Sequence, residues 1–264
     1  MVKCFDITRH IEKLCPPSLA CDWDNVGLLV GRGDKEIKKI LLTLDVDEYV
    51  VSEAISVGAD MIVSHHPVMF TPIKRLTENT PQQRFLRSLC KNDVCLYSAH
   101  TNMDCAIGGL NDYLAAKLGI ENAQVFEETV DGAGFGRYGT LKCKTTVQDM
   151  ITRCLKVLNL SDVRYTGDLQ REISVVAVNS GSGSNILAEC IDRNVDLLIT
   201  GDLKYTPARE AYENGIAVID AGHYGTEVIF TELMYKYLSV EFPDTEILVS
   251  KANECVLKTY VDKQ

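Results

Sequence analysis

From residue 38 to about residue 120 the chain alternates between two apolar rhythms. "KKILLTLDV", "DMIVS" and "DVCLYSA" are short, continuous apolar runs of strand length. "DEYVVSEAISVG", "TPQQRFLRSLCKN" and "GGLNDYLAAKLG" instead repeat apolar positions at three- and four-residue spacing, the period of a helix. Strands alternating with helices of about a dozen residues predict βαβ units and a largely parallel sheet. Ahead of them, "ITRHIEKLC" reads as a helix capped by Asp6 and stopped by Pro16 and Pro17. "DWDNVGLLVG" reads as a turn-rich lead into a strand.

Around residues 121–140 the pattern breaks into "ENAQVFEETVDGAGFGRYGTL", glycine-rich and polar, where a second unit is expected to begin. That unit resumes the βα rhythm. "TVQDMITRCLKVLNL", "SNILAECIDRN" and "TPAREAYENG" are helical, while "DVRYTGD", "ISVVAVNSG", "VDLLITGD" and "IAVIDAG" are strand-like. One helix, "TEVIFTELMYKYLSV", and a strand, "TEILVS", follow.

Polar residues fall in telling places on this pattern. His65 and His66 follow "MIVS", His100 and Asp104 follow "VCLYSA", and His223 and Glu227 follow "IAVIDAG". Four of the five histidines therefore sit just past the carboxyl end of a predicted strand, the edge where open α/β sheets bind ligands. His10, on the first helix, is expected to be exposed. Neighbouring side chains in a strand face opposite ways, so His65 and His66 converge only if the backbone turns, and Pro67 keeps it out of a helix there. His223 and Glu227 share one side if helical geometry starts by residue 224. Imidazoles with carboxylates suit zinc, manganese, iron, nickel or cobalt better than calcium. Five or six donors exceed one tetrahedral ion and fit two ions bridged by a carboxylate. Against this, paired histidines also occur in solvated loops, and an acidic residue at a helix start also answers the helix dipole.

Composition narrows the partners. The 264 residues are 46% hydrophobic and carry a net charge of −10, which argues against nucleic-acid binding driven by a general positive field. No signal-like segment opens the sequence and no apolar run nears the roughly 20 residues of a membrane span, so a cytoplasmic location is expected. The ten cysteines are scattered with no C-x-x-C pair, which reads as reduced, mostly buried thiols, with Cys105 notable beside Asp104.

Taken in order, "WDNVGLLVG", "SHHP", "HTNMD", "NSGSGS", "TGDLKY" and "GHYGTE" resemble the Nif-three-like family, whose bacterial members are often labelled GTP cyclohydrolase I type 2 homologs. The resemblance spans essentially the whole chain. It implies an α/β fold of two interleaved units, with mostly parallel or mixed sheets and a metal site in the cleft between them. The first unit would comprise residues 1–125 plus 225–264 and the second 126–224. It implies ring-like homohexamers and a dinuclear centre of two divalent ions, with the family's ligands falling on His65, His66, Asp104, His223 and Glu227 and its neighbouring histidine on His100. One departure is that Thr206 and Pro207 stand where many members carry a histidine after "TGDLKY".

Two functions follow as expectations. The first is a metal-dependent hydrolase acting on a nucleotide or phosphoester, with Glu227 or Asp104 as the bridge and His100 as the catalytic proton shuttle or as support for the ligands. The second is a metal-binding assembly or regulatory protein without turnover. The remaining glycine-rich stretches stay ambiguous. "NSGSGSN" (179–185) is a flexible turn or an anion cradle, and "GAGFGRYG" (132–139) is a surface hairpin turn or a loop presenting Arg137 to an anion.

Overall fold

The computed structural model describes residues 1–130 and 132–260. Along the chain these form α1 (Cys4–Leu14), β1 (Gly27–Val30), β2 (Lys39–Thr43), α2 (Glu48–Ser56), β3 (Met61–Ser64), α3 (Pro81–Lys91), β4 (Cys95–Ser98) and α4 (Thr101–Cys105). Then come α5 (Leu110–Leu118), β5 (Ile120–Val130), β6 (Ala133–Thr146), α6 (Val147–Val157), β7 (Arg164–Thr166), β8 (Glu172–Ser182), α7 (Leu187–Asp192), β9 (Leu197–Gly201), α8 (Tyr205–Glu213), β10 (Ala217–Asp220) and α9 (His223–Glu227). The last elements are α10 (Phe230–Glu241) and β11 (Glu246–Val249). None of the described helices is long and apolar enough to cross a membrane.

The described residues divide into two compact units, 1–106 with 230–254 and 107–229 with 255–260. These limits differ from the sequence-based ones because α5 packs on β5, β6 and β8, and β5 pairs with β6, so both belong to the second unit. The single helix expected over 226–240 is two, α9 in the second unit and α10 in the first.

In the first unit the strand order is β1-β4-β3-β2-β11. β11, β2, β3 and β4 run parallel, with Ile40 opposite Met61 and Met61 opposite Cys95, and β1 is antiparallel at one edge. β3 and β4 are buried at every residue, as strands covered on both faces must be, and so read as continuous apolar runs. The helices start where short polar side chains can satisfy loose amides. Asp47 accepts from Tyr49 N and Val50 N, and Thr80 from Gln83 N ahead of Pro81. Asp6 instead lies within the first turn of α1 and accepts from Lys3 N at 2.8 Å, so that helix begins at Cys4. His10 is half-buried rather than exposed, its ring stacked on Tyr237 at 4.4 Å with Phe242 at its edge.

In the second unit the order is β5-β6-β8-β9-β10-β7. β8, β9 and β10 are parallel; β5, β6 and β7 add antiparallel edges, so the sheet is mixed. The stretch that broke the pattern is the long β5–β6 hairpin, pairing Glu121 with Thr140 and Gln124 with Tyr138. Gly139 marks close backbone approach, since a β-carbon there would overlap Glu121 O, whereas Gly132 lies in the turn with a left-handed backbone at φ +78. Arg137 is not on a surface turn. It is 1% exposed, holds Asp112 at 2.6 and 3.0 Å and donates to Gly134 O and Gly136 O, leaving it committed within the fold. The ten cysteines are free thiols, six of them buried.

Candidate metal centre

Past β3 the backbone keeps to β2 for two more residues, His65 N donating to Thr43 O and His66 N to Leu44 O. A straight strand would send the two rings to opposite faces. The bend ahead of Pro67 instead leaves their centroids 5.1 Å apart. His100, just past β4 on the same sheet edge, sits 5.1 Å from His65 and 5.4 Å from His66. One ring nitrogen from each of these three lies within 4.8 Å of the others. Asp104, from α4, brings an oxygen to 3.7 Å from His65 Nε2. His65 is fully buried and Asp104 is 7% exposed.

Each of these rings has an oxygen at Nδ1. For His65 it is Ala99 O at 2.8 Å; for His66, Asp45 Oδ1 at 2.7 Å; for His100, Asp24 Oδ1 at 3.0 Å. A carbonyl only accepts, so His65 Nδ1 carries the proton and the lone pair falls on Nε2. The carboxylates favour the same tautomer for His66 and His100. Burial pushes the Asp24 carboxyl up, but hydrogen bonds from His100, Thr101 and Asn25 outweigh it and hold the pKa at about 2.

The second unit has its own set. His223 opens α9 and Glu227 closes it, and the helical spacing brings His223 Nε2 to 2.9 Å from Glu227 Oε2. Asp202, past β9 and left-handed at φ 51, places Oδ2 2.8 Å from His223 Nδ1. Glu227 first and Asp202 second raise the imidazole against the opposing effect of burial, pushing it up to about 9. Glu227 is 3% exposed and packs on Gly181, where a β-carbon would overlap its Oε1. Three amides of the 179–185 stretch are committed: Ser180 N donates to Asn111 Oδ1, Gly181 N to Thr226 Oγ1 and Gly183 N to Thr200 Oγ1, each at 2.9 Å, so these three are not offered to an anion.

The structure thus brings His65, His66, His100 and Asp104 together in one unit, and His223 with Glu227 in the other. Sequence reasoning passed over their supports, Asp24, Asp45 and Asp202. Two of these carried the signal used for the histidines, a polar side chain just past an apolar run: Asp45 follows β2 and Asp202 follows β9.

The family model described as Duf34/NIF3 (NGG1p interacting factor 3) matches residues 2–255. The chain belongs to this family. Among its relatives, a GTP cyclohydrolase 1 type 2 homolog of Clostridium perfringens is 38% identical over 95% of this chain and 97% of its own. Protein NIF3 homolog of Schizosaccharomyces pombe is 32% identical over 96% of both chains. The fold matches a Bacillus cereus protein related to NIF3 with a TM-score of 0.92, at 22% identity over 98% of this chain and 99% of the other. It also matches reduced HcgD from Methanocaldococcus jannaschii, with a TM-score of 0.80 at 33% identity over 94% of this chain and 97% of that one. Within this NIF3 chain the donor chemistry fits a metal. Buried His, Asp and Glu side chains of this kind could hold an ion, and an Nε2 lone pair aimed by an oxygen at Nδ1 is the usual arrangement of a ligating histidine.

Proposed function

We propose that this chain is a divalent-metal-binding protein with a dinuclear centre that hydrolyses a nucleotide or phosphoester. His65, His66, Asp104, His223 and Glu227 are the ligands in this reading, and Glu227 or Asp104 is the bridge. The observation that carries it is the oxygen at Nδ1 of each of four imidazoles, at 2.7 to 3.0 Å, which directs Nε2 to an ion, in His223 once its second proton has left. Ions held there would supply Lewis acidity and lower the pKa of water. The mixed nitrogen and oxygen donors suit zinc, iron, manganese, nickel or cobalt.

His100 is the catalytic proton carrier in this reading. Asp24, ionised and buried, holds His100 Nδ1–H and stabilises the ring when Nε2 takes a proton. Asp104 and Glu227 stay desolvated, which keeps water from competing for their oxygens. The names of the relatives point to GTP as the first substrate to try. A homohexamer, six copies of the 29.3 kDa chain, belongs to the same reading through the family resemblance.

The test strips metal with a chelator, refills with each of the five ions, and measures metal per chain together with hydrolysis of GTP and of generic phosphoesters. About two ions per chain and restored turnover are expected. Stoichiometric metal with no turnover on any substrate would leave a metal-binding protein and overturn the hydrolase. Less than one ion per chain under every condition would overturn the centre itself.

A further inference from the structure

Two large rings beside His100 are left bare. Trp23 is 61% exposed and Phe70 51%. Their centroids are 6.1 Å apart at 37°, and each ring lies near-perpendicular to that of His100 with centroids 5.9 Å apart. A hollow of about 330 Å³ opens at this point, lined by both rings with Asp22, Asn25 and Thr71 among its walls.

The hollow is built, not a chance gap between loops. Asn25 Nδ2 donates to Met69 O at 2.5 Å, tying the turn that carries Trp23 to the loop that carries Phe70. Asn25 N donates to Asp24 Oδ1 at 2.8 Å, and Thr101 N to Asp24 Oδ2 at 3.0 Å, which pins both loops to the strand end bearing His100. The near-perpendicular contact with His100 still leaves more than half of each residue in water. Paired apolar faces left in water beside a reactive side chain mark a place where something stacks.

Charge selects what stacks. The lining holds two carboxylates, Asp22 and Asp24, and no cation, so it disfavours the phosphate end of a ligand. Asp24 is committed to His100 and Thr101. Asp22 is exposed, and no salt bridge to it occurs among the described residues. An ionised carboxylate beside a stacking face accepts from two adjacent N–H groups, the edge that guanine presents and hypoxanthine presents only in part. We propose that Trp23 and Phe70 form a stacking platform for a planar, guanine-type heterocycle whose N–H edge is read by Asp22, which places the ring beside His100. This proposal rests on the reading of the neighbouring histidines as a reaction centre.

The chain has a single tryptophan, so Trp23 fluorescence reports this hollow alone. Guanosine, inosine and ribose 5-phosphate compounds of equal charge (GMP, IMP and the sugar phosphate) are titrated into the native chain, and again after metal is removed. GMP should quench Trp23 saturably, IMP should bind about tenfold more weakly for one lost hydrogen-bonded amino group, and ribose 5-phosphate should do nothing. Phe70→Leu should weaken GMP by about tenfold while keeping Trp23 as reporter, and Asp22→Asn should erase the preference for GMP over IMP. Absence of saturable quenching by GMP, equal quenching by ribose 5-phosphate, or an unaffected Phe70→Leu chain would each overturn the platform. Metal content measured on the same samples separates the two readings. Quenching in a chain that never holds metal upholds the platform and overturns the centre, whereas full metal content without quenching does the reverse.

Discussion

The two histidine sets of this chain prepare a ring nitrogen in different ways. At the β3–β4 edge, His65 is sealed from solvent and held at Nδ1 by a backbone carbonyl. At α9, the side chain of His223 is 36% exposed and is bracketed by carboxylates at 2.8 and 2.9 Å. A carbonyl fixes the tautomer and adds no charge, so it leaves Nε2 as a donor. Two carboxylates fix the ring and also draw in a proton, so without metal His223 is a cation in an ion pair. His65 is therefore organised by burial and strand geometry and His223 by charge, while His66 and His100 stand between them with one carboxylate each at Nδ1. If both serve one centre, metal must replace a proton at the second and find the first already arranged.

The widest split should come from removing the ligands proposed above. His65→Ala and Glu227→Ala should each lower metal affinity by more than about 100-fold, beyond the 10–100-fold that loss of a supporting partner costs. Competition against a coloured chelator measures this. If Glu227→Ala kept native affinity while His65→Ala lost it, the second set would have no part in the centre. Next in size is Gly181→Ala, which needs a left-handed backbone at φ +61 and space that Glu227 occupies. A loss of about 2 kcal/mol is expected in denaturant unfolding. NMR titration should show the His223 pKa falling from about 9 back toward its ordinary range as Glu227 is displaced. An unchanged titration would mean that the Glu227 contact does not set the charge of His223.

The same contrast explains what could be read in advance. His65, His66 and His100 were legible because each ends an apolar run long enough to be a strand, and the parallel order of β2, β3 and β4 then puts those ends on one edge. His223 and Glu227 were legible through their spacing of four. The β5–β6 hairpin was not, because glycines required for close backbone approach look like loop glycines when the partner strand is unseen. Arg137 was misread for a related reason: its partner Asp112 lies 25 residues away, on α5, and no local pattern announces a buried ion pair. The supporting carboxylates were passed over since Asp24, Asp45 and Asp202 stand among turn residues, where aspartate is common for conformational reasons alone.

Those supports give a smaller effect that still tests the contrast. Asp45→Asn and Asp202→Asn should each weaken metal binding by about 10- to 100-fold. Only Asp202→Asn should also lower the His223 pKa, because Asp202 is the second of the two carboxylates on that ring. Equal shifts of His223 in both variants would remove the distinction between the sets.

The smallest effect per step is with pH, and its sign differs between the metal-free and metal-bound chains. His223 is raised from 6.5 to about 9 in the folded, metal-free chain. Its ion pair therefore stabilises that chain fully below about pH 6.5, and the contribution fades as pH rises through about 9. Exposure of the ring keeps this contribution modest. Metal binding runs the other way, since the incoming ion must displace the proton. Between about pH 6.5 and 9 one proton leaves His223 per chain, so affinity should rise about tenfold per pH unit and level off above 9. Unfolding of the metal-free chain and chelator competition across the same pH series measure the two trends. Affinity that stayed flat from pH 7 to 9 would mean that His223 is not exchanged for metal, and the charge-organised set would then be an ion pair of the fold.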